Sequence, residues 1–383
     1  MDYLKEFKQN IDFYFSKCLG YPYARPYWVY ISLSHQCTYH CKMCQVVKIL
    51  KGHELPKESI LRTLDEISLW DSNCVVVFTG GEPFLRKDIF EIFSYAAKRG
   101  LKSESVSNGA LINEKMAVNI VSSGLSNIAI SLDGAREATH DSVRDKSSYN
   151  RAVQAIKNLV RAKKERGTGP QLSVWTTIMK ENVEELFEII PLVRDLGVEC
   201  LVYHPVIVAQ DDMQNTSERA PFWIRGDDAK KLKEQIDKIV AYQKKHGLVA
   251  FLHDPYLWLE YFEGTLTKKN WSCNPFVFIN IGPDGEVRSC GSSFGSIKDQ
   301  NLEYCLNSVA ASKARKIMAQ CQKPCLQTCW AHPESDTLAL IIERFLTTLR
   351  ASDLEHKKQR DVVGQALAML CLYEKQAEEK CLK

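Results

Sequence analysis

An α/β fold built on an open, partial (β/α)6 TIM-like barrel is what this sequence predicts, and three observations carry it. Short β-rich runs alternate with amphipathic stretches from residue 28 to about 208, the pattern of a parallel sheet assembled from βα units. Six such units are present, fewer than the eight that close a full barrel. Gly, Asn and Ser cluster where the runs end, which places polar loops at the C-terminal ends of the strands, where function gathers in such folds.

The elements follow in order. A lead segment, 1–27, precedes the first strand. The strands are expected at Trp28 to Ser34, Cys74 to Gly80, Lys102 to Gly109, Asn127 to Gly134, Gln171 to Met179 and Glu199 to Val208. A helical segment follows each one. After the fifth, Asn182 is placed as an N-cap with Glu185 three residues on, and Leu186, Ile189, Ile190 and Val193 recur at helical spacing. Gly197 closes that helix. The barrel therefore spans 28–210. A charged helix within 211–265 forms a bridge, and 266–335 is rich in Cys, Gly and Pro. The tail, 336–383, predicts two helices with an apolar stripe that includes Leu338, Ile341, Phe345 and Leu349.

Composition narrows the class. The 383 residues are 45% hydrophobic and 25% charged, as in an ordinary globular protein. The formal charge of +3 and the absence of a dense Lys/Arg block argue against a nucleic-acid partner. No membrane span is expected. The first residues lack a basic region followed by an apolar one, so a cytoplasmic address is expected and the fourteen cysteines are assigned to metal ligation and buried thiols rather than disulfides. Eight of them cluster; Cys18, Cys74, Cys200, Cys305, Cys371 and Cys381 stand singly.

The first cluster is Cys37-x3-Cys41-x2-Cys44 on one loop after the first strand. Three thiolates leave one coordination position for another ligand. The alternative is a zinc site with His35 or His40 as the fourth ligand. At the end of the second strand stands Thr79-Gly80-Gly81-Glu82-Pro83, whose glycines permit close backbone approach and whose carboxylate can accept from an ammonium group. Ser107-Asn108-Gly109 ends the third strand, and Ser131-Leu132-Asp133-Gly134 the fourth, followed by His140-Asp141-x-x-Arg144. Alone, each would be an Asx turn. Farther on, Cys273, eleven residues, Gly285, four residues and Cys290 precede Cys321-x3-Cys325-x3-Cys329. The Pro283-Asp284-Gly285 turn predicts a hairpin between Cys273 and Cys290. A zinc knuckle is the alternative for this second half.

Taken in order, these motifs resemble the radical S-adenosylmethionine (SAM) superfamily, and the second cysteine set resembles its twitch and SPASM auxiliary-cluster domains. The resemblance implies that Cys37, Cys41 and Cys44 hold a [4Fe-4S] cluster whose open iron binds SAM. Gly81 and Glu82 would meet the SAM ammonium, Ser131 and Asp133 the ribose, and Arg144 the SAM carboxylate, with Asn108 nearby. Met43 stands where the family often has an aromatic residue beside adenine. Cys273 and Cys290 with members of Cys321, Cys325 and Cys329 would hold one auxiliary [4Fe-4S] cluster. SAM would be cleaved to a 5'-deoxyadenosyl radical that takes a hydrogen atom from a peptide or small molecule, in dehydrogenation, crosslinking or epimerisation. A reductant such as flavodoxin or ferredoxin would supply the electron. Tyr203 and His204, ending the sixth strand, are candidate substrate contacts or proton acceptors. A zinc-stabilised binding scaffold and a non-radical SAM-dependent methyltransferase are the competing classes.

Overall fold

The computed structural model describes residues 3–44, 46, 54–70, 72–207, 221–251, 254–266, 272–321, 325, 326, 331, 332 and 337–381. Helix α1 (Tyr3–Leu19) precedes a regular series: β1 (Trp28–Ser32), α2 (Lys57–Ser68), β2 (Val75–Thr79), α3 (Ile89–Lys98), β3 (Lys102–Ser107), α4 (Glu114–Ser122), β4 (Asn127–Ser131), α5 (Glu137–Val143), α6 (Ser148–Arg166), β5 (Gln171–Ile178), α7 (Leu186–Asp195) and β6 (Cys200–Pro205). The six strands lie side by side in sequence order, all parallel. Along each, alternate residues face the helices. Val29 and Ile31, Val76 and Phe78, Ile128 and Ile130, and Leu172 and Val174 are buried in one core with Ile60, Phe93, Ile156 and Ile189 of the helices. Burying each such side chain contributes roughly 1.5–3 kcal/mol. No helix among the described residues is long and apolar enough to cross a membrane.

All six expected strands are present, but each ends before its expected bound, and β2, β3 and β4 end on the first residue of their motifs. Ser34, Gly80, Gly109 and Gly134 lie beyond the ladder, so the motif residues turn away from the sheet. The alternation also runs one unit further than the sequence suggests. After α8 (Asp227–His246), β7 (Val249–Phe251) pairs parallel with β6, and α9 (Leu257–Glu263) packs beyond it. Three residues give too short a run for a periodic signal. The Asn182 cap is likewise corrected. Asn182 belongs to a 3-10 turn, where its carboxamide accepts from Met179 N at 2.9 Å and donates to the Asp133 and Thr177 carbonyls at 2.8 Å each. Helix α7 starts after Glu185 instead. Gly197 does follow that helix, at φ +83°.

The cysteine-rich segment supplies β8 (Ser272–Cys273), β9 (Phe278–Ile281), β10 (Glu286–Ser289), β11 (Ser292–Ser296), α10 (Leu302–Asn307), α11 (Val309–Ala319) and β12 (Ala331–His332). Its hairpin is joined to the barrel. Strand β9 pairs parallel with β1, and β10 and β11 extend the sheet antiparallel from there. One open ten-stranded sheet results, in the order β11-β10-β9-β1-β2-β3-β4-β5-β6-β7. The expected turn is present: Gly285 takes φ +83°, and its N–H donates to Gly282 O at 2.9 Å.

Helices α12 (Leu338–Arg350) and α13 (His356–Cys381) return to α1. Phe7, Ile11, Phe15, Phe345, Leu349, Ala366 and Leu370 form a second small core, with the Phe7 and Phe345 rings 4.3 Å apart. Gly364 stands inside α13 with nothing within 4 Å of where a Cβ would be. Gly364→Ala should therefore stabilise the protein by about 0.5–1 kcal/mol through lower unfolded-state entropy. A lower melting temperature in that variant would contradict the helical environment of this position.

Candidate active site

The cysteine loop leaves β1 and is held by backbone before any ligand is considered. Gly81 N donates to Ser34 O at 2.8 Å and Glu82 N to Gln36 O at 2.7 Å. Glycine is required for that approach. A Cβ on Gly81 would lie 1.9 Å from Gln36 O, and one on Gly80, at φ +143°, would lie 2.6 Å from Ser34 O. On its other side the loop is tied to α5, with Lys42 N donating to Val143 O at 2.9 Å. Cys37, Cys41 and Cys44 are all half-buried. Three cysteine thiols on one short loop are a donor set of the kind that holds an iron–sulfur cluster.

Glu82 links the first three strands. Its side chain is 2% exposed and accepts from Ser107 Oγ at 2.9 Å, Asn108 N at 2.9 Å and Phe84 N at 3.3 Å. Burial pushes its carboxyl up to about 7 despite those donors. Asn108 closes the circuit: its Nδ2 donates to Thr38 Oγ1 at 3.0 Å and toward Cys37 Sγ at 3.6 Å.

Across the strand ends, Asp133 is fully buried. One carboxylate oxygen accepts from Arg144 Nε at 2.6 Å and the other from Thr177 N at 2.7 Å. The Arg144 guanidinium is 11% exposed; the nearby Asp133, Cys41 and Cys44 raise its pKa against the effect of burial. Burial pushes the Cys41 thiol up to about 11, opposed by the Arg144 charge. His140 Nδ1 accepts from Asp133 N at 3.0 Å. Burial, then the Arg144 charge, hold its pKa down at about 4. Asp141 accepts from Ser147 N, Ser148 Oγ and Tyr149 N, which fixes the start of α6. Glu185, read from sequence only as part of the Asn182 cap, accepts from Ala135 N and Arg136 N at the start of α5.

Ser131 ends β4, mostly buried, opposite Trp175 of β5. Met43 is partly buried against the main core. His204 and Tyr203 point to opposite faces of β6, as strand alternation demands. The Tyr203 hydroxyl donates to Leu186 O of α7 at 2.5 Å, and its ring packs 6.1 Å from Trp258. Tyr203 therefore faces the helices, which corrects its expected role as a substrate contact or proton acceptor. His204 is on the inner face, 6.0 Å from the Trp175 ring at 72°, with its pKa lowered by burial. Trp175 was not singled out from sequence, although the helix-facing positions Leu172, Val174 and Ile178 identify it by alternation. Glu104, on the inner face of β3, is raised by burial and receives Asn127 Nδ2 at 3.4 Å.

In the second cysteine set, Cys273 ends β8, which pairs with β12. Cys290 adopts φ +49° beside Gly291, an uncommon conformation for a residue with a Cβ. Cys321 follows α11, its N–H donating to Met318 O at 3.1 Å. Cys325 is half-buried. Cys329 lies outside the described residues. Cys305 is fully buried, its thiol 3.9 Å from Gln300 Oε1.

A radical SAM superfamily model matches residues 31–193. The Fe-coproporphyrin III synthase of Methanosarcina barkeri is 29% identical over 181 residues, 46% of this chain and 43% of that protein. The chain thus matches less than half the length of that relative. A probable GTP 3',8-cyclase of Saccharolobus islandicus is 26% identical over 280 residues, 68% of this chain and 81% of that protein. Among solved structures, native anSMEcpe with bound AdoMet and Cp18Cys peptide superposes with a TM-score of 0.61 at 14% identity, covering 90% of this chain and 99% of that one. That likeness is one of fold.

The two perturbed groups beside the cysteine loop act on stability with opposite sign. Glu82 keeps its proton in the fold up to about 7 against an ordinary 4.5, so its contribution falls as pH rises through that window. His140 stays neutral in the fold down to about 4 against an ordinary 6.5, so its contribution is lost as pH falls through that window. Each effect is of order 3 kcal/mol. In metal-free protein, the stability of Glu82→Gln relative to wild type should climb between about pH 5 and about pH 7.5, and that of His140→Gln should climb as pH falls below about 6.5. Denaturant melts across pH measure both, and pH-independent differences would contradict the burial described here.

Proposed function

We propose that this chain is a radical SAM enzyme, of the superfamily whose model matches residues 31–193 and whose cofactors are SAM and a [4Fe-4S] cluster, and that it abstracts a hydrogen atom from a peptide or small-molecule substrate held against the inner face of the sheet. The carrying observation is the backbone-clamped loop that presents Cys37, Cys41 and Cys44 beside Glu82 and Arg144. Cys37, Cys41 and Cys44 would hold a [4Fe-4S] cluster, which when reduced would supply the electron for cleavage of SAM to methionine and a 5'-deoxyadenosyl radical.

This chain's residues would bind and orient. The Glu82 carboxylate has about four acceptor positions, of which three are used by Ser107, Asn108 and Phe84. The remaining one suits the SAM ammonium. Arg144 would hold the SAM carboxylate, fixed in place by Asp133 through Nε. With both carboxylate oxygens engaged, Asp133 serves better as the positioning residue for Arg144 than as a ribose contact. Ser131 would meet the ribose and Met43 the adenine, while Asn108 steadies Cys37. His204 and Trp175 are the proposed substrate contacts. A one-electron protein donor of the flavodoxin or ferredoxin kind is the expected partner.

Cys273, Cys290 and members of Cys321, Cys325 and Cys329 are assigned to one auxiliary [4Fe-4S] cluster. The positive φ of Cys290 supports this reading, because strained backbone is retained where a side chain must be aimed. An oxidoreductase outcome follows if that cluster accepts the substrate electron. The relatives are named for a coproporphyrin and GTP, and the superposed structure holds a peptide, so the substrate is proposed at the level of class.

Arg144→Ala should weaken SAM binding by roughly 1.5–3 kcal/mol, about tenfold or more, with Arg144→Lys intermediate. Unchanged affinity by equilibrium dialysis would remove Arg144 from the SAM site. The test of the whole reading is iron content together with 5'-deoxyadenosine. Anaerobic protein should carry about eight irons, falling to about four when Cys37, Cys41 and Cys44 are all replaced by Ala, with cleavage abolished. Cys290→Ala should also fall to about four but still form 5'-deoxyadenosine. Stoichiometric zinc in place of iron, or cleavage that survives the triple replacement, would sink the proposal.

A further inference from the structure

A cavity lies at the opposite end of the sheet from the cysteine loop. Its roof is formed where strands begin: Tyr27 before β1, Asn73 before β2, Lys102 at the start of β3 and Asn274 before β9. Its floor is α1 and α12, the helices contributed by the two ends of the chain. The volume is about 660 Å3, within the range of small-molecule sites.

We propose that this cavity is a second ligand site, for a small organic anion with a flat aromatic body. Charge, shape and one unpaired group each support it. Among the described residues, three cations, Lys17, Lys102 and Arg344, line the space against one carboxylate, Glu6. Phe7, Phe13, Tyr14 and Tyr27 supply flat apolar walls, which suit an aromatic ring by offset or edge contact. Gln9 also lines the cavity, is 7% exposed, and its Nε2 has no hydrogen-bond partner. A buried donor left unpaired is costly and uncommon. A ligand carboxylate oxygen satisfies it while meeting the cations.

The site is distinct from the proposed SAM site, because it lies at the starts of β1, β2, β3 and β9, whereas the cysteine loop and Glu82 follow the far ends of β1 and β2. It is also adjacent to the barrel interior: Tyr27 lies within electrostatic range of both Glu6 in the cavity and Glu104 on the inner face of β3. An occupant would bridge α1, α12 and the strand starts at once, so binding stabilises the union of the chain's two ends with the barrel.

The probe is 2-naphthoate, titrated into the full chain by calorimetry, with the neutral 2-naphthamide as its isostere and melting temperature as a second readout. Expected are saturable binding at about one per chain, affinity for the amide about tenfold lower, and a higher melting temperature with naphthoate. Lys102→Gln and Arg344→Gln alter exposed positions and should each weaken naphthoate severalfold without changing 5'-deoxyadenosine formation. Gln9→Leu should weaken it too while melting no lower than wild type. Absence of saturation up to about millimolar naphthoate, equal affinity for acid and amide, or indifference to the Lys102 and Arg344 substitutions would each overturn the assignment. So would naphthoate displaced by SAM, which would place it at the other end of the sheet.

Discussion

The close backbone contact between Gly80-Gly81 and the chain leaving β1 is the constraint on which the site rests. Two hydrogen bonds, Gly81 N to Ser34 O and Glu82 N to Gln36 O, bring the exit of β2 onto the root of the cysteine loop. Both distances require that no Cβ stand at either glycine. From that contact the rest is determined by short links. Glu82 is carried into a buried position where Ser107 and Asn108 of the β3 exit donate to it. Asn108 then reaches back to Thr38 and Cys37. The result is a closed circuit through β1, β2 and β3 made mostly of backbone and short side chains, which lose little conformational freedom on ordering. A thiolate set positioned this way does not depend on long, mobile side chains.

Electrostatics complete what the backbone begins. Burying a carboxylate and a guanidinium without water is unfavourable unless each is paired or hydrogen-bonded. Asp133 and Arg144 compensate one another at 2.6 Å, whereas Glu82 has only neutral donors and rises to about 7. The site thus presents an under-compensated acceptor on the β2–β3 side and a cation on the β4–α5 side, with the cysteines near both. A ligand with an ammonium and a carboxylate on one carbon complements that pair. Binding would draw Glu82 toward its ionised form and lower the cost of its burial. The same arrangement gives no comparable partner to a neutral molecule.

Much of this was legible in the sequence, and the exceptions have physical reasons. The six strands and the order of their motifs follow from β-rich runs ending in Gly, Asn and Ser. Strand ends were overextended because the motif residues turn toward the site rather than continue the ladder. Asn182 resembled a helix cap in spacing, yet two buried carbonyls, of Asp133 and Thr177, needed its amide more. Tyr203 and His204 are adjacent in sequence and opposite in the sheet, so at most one of them could enter the barrel. Strand β7 and the pairing of β9 with β1 join residues far apart in the chain, and no local pattern encodes such a pairing.

The pairing of β9 with β1 has the widest consequence for how the two cysteine sets relate. Strand β1 runs directly into the Cys37 loop, and β9 runs beside it in the same direction, with Trp28 opposite Phe278 and Ile31 opposite Ile281. The hairpin that ends at Cys290 is therefore fixed to the strand that delivers the first thiolates, by a ladder and not by a linker. Inter-domain motion is the default when two units share a small polar interface. Here the sheet is continuous, so the segment carrying Cys290 moves with β1 or not at all. A continuous sheet also accounts for where α1 and α12 gather: the strand starts of β1, β2, β3 and β9 lie together at one end of the sheet, and α1 and α12 cover them from one side. Chemistry at the C-terminal strand ends and closure at the N-terminal ends are thus two consequences of one uninterrupted sheet.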